Sequence, residues 1–121
     1  DTAVRFFPHA QAEGWATCPI TENALLRIVG SASFPGGPGT PQAVRTQFAS
    51  YLASPGHQFW SDEVSLFDLR AFPTLPLAKD LTDYYLLALA VKRQARFVTF
   101  DRKMDAATIP GGPTALHVLQ G

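Results

Sequence analysis

The sequence predicts an α/β fold with a parallel sheet. The segment from Asp80 or Thr82 to about Gln94 is helical, and its apolar residues cover most of the circumference, as in a helix buried between layers. Arg96-Phe97-Val98-Thr99-Phe100 follows at once, and after the Arg it is a continuous apolar or β-favouring run, the pattern of a parallel strand covered on both faces. Length and composition set the scale. The chain has 121 residues and is 46% hydrophobic, enough for one core, so residues 1–121 are expected to form a single domain.

Each element has a local reason. Ala3, Val4, Phe6, Phe7 and Ala10 share a helical face that Pro8 interrupts and Gly14 ends. Trp15 to Cys18 reads as a short strand. Thr21 then serves as N-cap for a helix with Ala24, Leu25, Leu26, Ile28 and Val29, closed by Gly30. Ser33 to Gly39 is a Gly/Pro loop, and it lacks the Gly-Lys-Ser/Thr ending of a phosphate-binding loop. Thr40 caps a third helix with Pro41 at its first position and Val44, Phe48, Tyr51 and Leu52 as its apolar stripe. Val64-Ser65-Leu66 reads as a short strand, and Phe67 to Phe72 as a helical turn. Leu116-His117-Val118-Leu119 reads as the last strand.

Composition excludes several classes. Lys plus Arg and Asp plus Glu number ten each, so the whole chain has no basic footprint. Half of the ten basic residues nevertheless fall in one stretch: Lys92, Arg93, Arg96, Arg102 and Lys103. A solvated face at a helix end accounts for them; a phosphate-facing patch is the sharper reading. The lone Cys18 excludes an internal disulfide and a CxxC metal site, and its apolar setting suits a buried thiol. His9, His57 and His117 form no HxH or HxxxH pair, which disfavours zinc. No apolar run approaches the ~20 residues that span a bilayer, and the expected setting is cytoplasmic.

Three carboxylates stand at breaks between elements. Glu22 lies in the first turn of its helix, where an acid suits the helix dipole. Asp83 is at the start of the buried helix, and Asp101 at the exit of the following strand. A helix of about 12 residues runs about 18 Å, and a strand of five residues returns about 17 Å. Asp83 and Asp101 are therefore expected at the same end. Like charges that cluster raise one another's pKa unless a cation neutralises them, and a hard divalent ion is the usual solution.

The ordered set Trp15-Ala16-Thr17-Cys18-Pro19-Ile20-Thr21-Glu22-Asn23, Leu81-Thr82-Asp83-Tyr84-Tyr85-Leu86-Leu87-Ala88-Leu89-Ala90 and Val98-Thr99-Phe100-Asp101-Arg102 resembles the PIN domain, specifically VapC-type ribonuclease toxins. The resemblance spans nearly the whole chain. It implies a three-layer α/β/α sandwich with a central parallel sheet, an acidic site for Mg²⁺ or Mn²⁺, endonucleolytic RNA cleavage, a homodimer, and inhibition by a cognate antitoxin. Glu22, Asp83 and Asp101 match the second, third and fourth acids of the family's site. Thr99 matches its supporting hydroxyl. The resemblance makes all four catalytic residues and the three acids metal ligands. Arg102 and Lys103 are expected to steer the RNA backbone, and Arg27, about one turn beyond Glu22, to face the same cleft.

One departure stands at the front. Such toxins begin with a strand reading roughly Leu-Leu-Asp-x-Asn-Val-Leu, which carries the first acid. Here Asp1 precedes Thr-Ala-Val-Arg-Phe-Phe, which matches the later part of the first helix. Three explanations stay open: a fragment of a longer polypeptide, a strand from another chain, or a degenerate, inactive toxin. The rival reading is accordingly a non-catalytic PIN-like scaffold that binds an antitoxin or other partner. A response-regulator receiver is disfavoured, since no acid pair follows the first strand and no Lys follows the last.

Overall fold

Pro19 and Pro41 each open a helix, and this fixes the first half of the fold. A computed structural model of the chain describes residues 14–99, 101 and 103–119. The helix expected over Ala3–Ala10 lies outside them, as do Phe6, Phe7, Phe100 and Arg102. The chain divides after Asp62 into two compact units, each with its own strands and helices. The fold is mixed α and β, with every described strand pair parallel.

In the first unit, strand β1 (Trp15–Thr17) is followed by helix α1 (Pro19–Val29), helix α2 (Pro41–Leu52) and strand β2 (His57–Phe59). β1 and β2 pair in parallel, with Trp15 opposite His57 and Thr17 opposite Phe59. The expected N-cap Thr21 is corrected. Cys18 takes that position in an extended conformation, and Pro19 occupies the first turn, where its missing N–H costs nothing. Thr21 sits one turn in, and its Oγ1 accepts from the Cys18 N–H at 2.9 Å. Cys18 is buried, as its apolar setting predicts. Thr40 caps α2 as expected, its Oγ1 accepting from the Ala43 N–H at 3.2 Å.

The expected strand at Val64–Leu66 is not formed. The strand lies earlier, at His57–Phe59, where it pairs with β1, and Val64 to Leu66 lead instead into turns. The helical turn expected in Phe67–Phe72 is present, with the Phe72 N–H donating to the Asp68 carbonyl at 3.0 Å.

The second unit is built on helix α3 (Leu81–Lys92), entered through a single 3-10 turn over Ala78–Asp80. Tyr84, Tyr85, Leu87, Ala88, Leu89 and Ala90 are all buried, so α3 is covered almost all round, as its sequence predicts. Phe72 stacks on Tyr85 with ring centroids 6.3 Å apart. Strand β3 (Phe97–Thr99) pairs in parallel with β4 (Leu116–Val118), which helix α4 (Gly112–Ala115) precedes.

α3 stops at Lys92, two residues before the expected Gln94. The Ala95 N–H bonds the Ala90 carbonyl at 2.8 Å and the Gln94 N–H bonds the Val91 carbonyl at 3.0 Å, a Schellman closure. Gln94 occupies its left-handed position, with φ of 54°. Glycine is the usual residue there, because a Cβ is strained at positive φ. Gln94→Gly is therefore expected to stabilise the fold by about 0.5–1 kcal/mol, read as a higher urea midpoint at unchanged slope.

Candidate active site

Of the expected acids, Asp83 and Asp101 come to one place. Asp83 lies in the first turn of α3, and Asp101 two residues beyond β3. Burial, then the charge of Asp101, then that of Asp80, push the Asp83 carboxyl above its ordinary 3.8. β3 spans three residues rather than the five expected, so matched arm lengths do not by themselves account for the meeting.

Asp101 is held by its neighbours. Its N–H donates to Thr99 Oγ1 at 3.0 Å, and its Oδ1 accepts from the Lys103 N–H at 2.9 Å. Thr99 thus fixes the backbone at Asp101, while Lys103 is exposed beside it. The rest of the basic stretch is partly engaged. Arg93 Nε lies 2.6 Å from Glu63 Oε1, and Lys92 Nζ 3.4 Å from the Glu63 carbonyl oxygen. These ties favour the solvated-face reading for that part of the stretch.

Glu22 belongs to the first unit, in the first turn of α1. Its Oε2 accepts from Thr17 Oγ1 at 2.8 Å, and the same hydroxyl lies 2.8 Å from His57 Nε2. His57 packs on Trp15 with ring centroids 4.6 Å apart. Glu22 borders a cavity of about 140 Å³ whose floor is Leu25, Leu26, Val44 and Phe48. Arg27 does not share that face. It is exposed in the last turn of α1, and five residues at about 100° each turn it roughly 140° away from Glu22. A larger cavity in the second unit, about 450 Å³ and lined by Glu63, Asp68, Arg70 and Lys92 among others, contains none of the expected acids.

Comparison with known proteins places the chain. No family model matches it, and no solved structure does. Ribonuclease VapC44 of Mycobacterium tuberculosis is 37% identical over 100 residues, covering 81% of this chain and 70% of that protein. Ribonuclease VapC39 of the same organism is 37% identical over 109 residues, 88% and 78% of the two chains. The chain belongs to the VapC ribonuclease family. Ribonuclease VapC38, also from Mycobacterium tuberculosis, is 40% identical over 89 residues, 73% of this VapC chain and 62% of that one.

The donors in this VapC chain suit a hard divalent cation. In the second unit Asp83, Asp101 and Thr99 offer only oxygen, and the repulsion on Asp83 is what a cation would relieve. Among the described residues, no three His, Cys, Asp or Glu are gathered tightly enough to hold a metal. What sequence reasoning missed is His57. Its link to Glu22 runs through a strand register, for which no local motif is a signal.

Proposed function

We propose that this VapC chain is the toxin of a type II toxin–antitoxin pair, a metal-dependent endoribonuclease that hydrolyses RNA phosphodiester bonds. The observation that carries the proposal is the acid pair: Asp83 is raised by burial first, then by Asp101 and Asp80, a focus of negative charge. The names of the relatives supply the reaction class.

Glu22, Asp83 and Asp101 would hold Mg²⁺ or Mn²⁺, Glu22 by its match to the family pattern. When bound, the ion lowers the pKa of a water and stabilises charge on the phosphate oxygens. Asp101, its carboxylate aimed by the Lys103 N–H and its backbone by Thr99, orients the attacking water or a second ion. Lys103 and Arg102 steer the RNA backbone. Arg27 would meet RNA that passes along the exposed side of α1. Single-stranded or loop RNA suits a narrow acidic site.

The same reading makes residues 1–121 one PIN-like domain, an α/β/α sandwich around a central parallel sheet. The described strands form two separate two-stranded sheets, and the parallel pairing within each is in keeping with this reading. It also implies a homodimer, a cognate antitoxin and a cytoplasmic setting. No helix among the described residues is long and apolar enough to cross a membrane. The exposed Phe67, Leu69, Leu75 and Leu77 are suited to a protein partner.

The alternative, a PIN-like scaffold that binds an antitoxin without cleaving, is favoured by the lack of a three-donor group among the described residues. One experiment separates the two. Cleavage of a structured RNA should require Mg²⁺ or Mn²⁺, stop with EDTA and resume on adding Mn²⁺. No Mn²⁺ binding by calorimetry, together with no cleavage by the full-length protein, would leave the scaffold reading in its place.

A further inference from the structure

We propose that His57 is a positioning residue for Glu22, acting through Thr17. This inference rests on the reading that Glu22 is a metal ligand. All three residues lie in the first unit, on β1, β2 and α1.

The direction of the chain of bonds follows from counting hydrogens. Thr17 has one hydroxyl proton. An ionised carboxylate can only accept, so that proton goes to Glu22 Oε2 at 2.8 Å. The Thr17 oxygen, 2.8 Å from His57 Nε2, must then accept, which places a hydrogen on Nε2. The order is His57 Nε2–H to Thr17 Oγ1, then Thr17 O–H to Glu22 Oε2. A hydroxyl that already accepts is polarised and donates more strongly.

The relay is supported on both sides by regular structure. The parallel register sets His57 opposite Trp15, whose ring packs against the imidazole at 4.6 Å. Thr17 lies two residues beyond Trp15, so both side chains share one face of β1. Glu22 is anchored at its backbone, its N–H donating to the Cys18 carbonyl at 2.9 Å. One carboxylate oxygen is thus engaged, and among the described residues nothing donates to Oε1. Partners that orient a metal-binding side chain typically change affinity or activity by about 10–100-fold when removed.

The test uses the full-length protein, with Mn²⁺ titrated by calorimetry and RNA cleavage followed at saturating Mn²⁺. His57→Gln places an amide N–H near the Nε2 position, whereas His57→Asn places one near Nδ1. Thr17→Ser keeps the hydroxyl, and Thr17→Val removes it at equal size. His57→Asn and Thr17→Val are expected to weaken Mn²⁺ binding about 10-fold and to lower kcat with KM for RNA little changed. His57→Gln and Thr17→Ser should recover most of that loss. A purely structural role would predict matched effects from Gln and Asn, since both are polar and neither keeps the ring on Trp15.

Glu22→Gln separates the two levels of the argument. If it leaves Mn²⁺ affinity unchanged, Glu22 is not a ligand and the underlying reading falls. If it weakens binding while His57→Asn and Thr17→Val do not, the positioning role alone is overturned. In the Glu22→Gln background, Thr17→Val should have no further effect on affinity.

Discussion

Asp83→Asn is expected to leave the fold intact and to lower metal-dependent RNA cleavage by about 100-fold or more in kcat. Asn keeps the shape of the side chain and removes the charge that would hold a cation. The same change should raise the stability of the metal-free protein at neutral pH, because Asp83 is ionised at a cost. Its carboxyl sits above 3.8 through burial first, then Asp101 and Asp80. A raised carboxyl binds its proton more tightly in the folded chain than in the unfolded one. Its stabilising contribution is therefore present in full below the unfolded value and is lost as pH rises through the folded value. Melting curves in EDTA should accordingly show Asp83→Asn above the parent at neutral pH, with the difference closing in acid. With Mn²⁺ added, the parent should gain stability and the variant should not. Full activity in the variant, still sensitive to EDTA, would remove Asp83 from the site.

Gly30→Ala is expected to destabilise the fold by about 2–4 kcal/mol, far more than a helix-end substitution normally does. The reason is steric, since Gly30 has an ordinary backbone, φ −82° and ψ 1°. A Cβ there would lie 2.3 Å from the Leu26 carbonyl oxygen and 2.7 Å from both the Cα and the N of Pro41. All three are backbone atoms and cannot rotate away. The chain uses glycine so that the end of α1 can rest on the start of α2. Separating those ends would also open the cavity that Glu22 borders. A urea midpoint for Gly30→Ala within about 0.5 kcal/mol of the parent would show that the two helices can part cheaply.

The parts of this fold that were legible in the sequence are those with long or chemically distinctive signals. Helix α3 announced itself by twelve residues of nearly continuous apolar character, and α2 by the pair Thr40-Pro41. The meeting of Asp83 and Asp101 was legible in the helix-then-strand order, although β3 is shorter than the five residues expected. Three-residue strands were harder. His57-Gln58-Phe59 has no alternation to detect, and its role comes from pairing with Trp15-Ala16-Thr17, some forty residues earlier. The start of α1 is hidden in the sequence for a related reason. Thr21 has the right chemistry for a cap, but Pro19 fixes φ two residues sooner and lets the helix begin there. The spacing of His57 from the other histidines carries no information about a hydroxyl on a neighbouring strand.

The tight closure after α3 also bears on how sequences of this type can diverge. Only the residues between Lys92 and Phe97 join helix to strand, and every one of Arg93, Gln94 and Ala95 is bonded back to the last turn. Helix and strand are thus two arms of fixed length on a locked joint. Inserting one residue within α3 would rotate everything before it by about 100° and carry Asp83 off its face. Deletions there would do the same in the opposite sense. Length variation among related chains should accordingly be absent between Leu81 and Asp101 and collect in the irregular stretches at 60–77 and 30–40, which makes the spacing of these two acids a more durable signature than the identity of most residues between them.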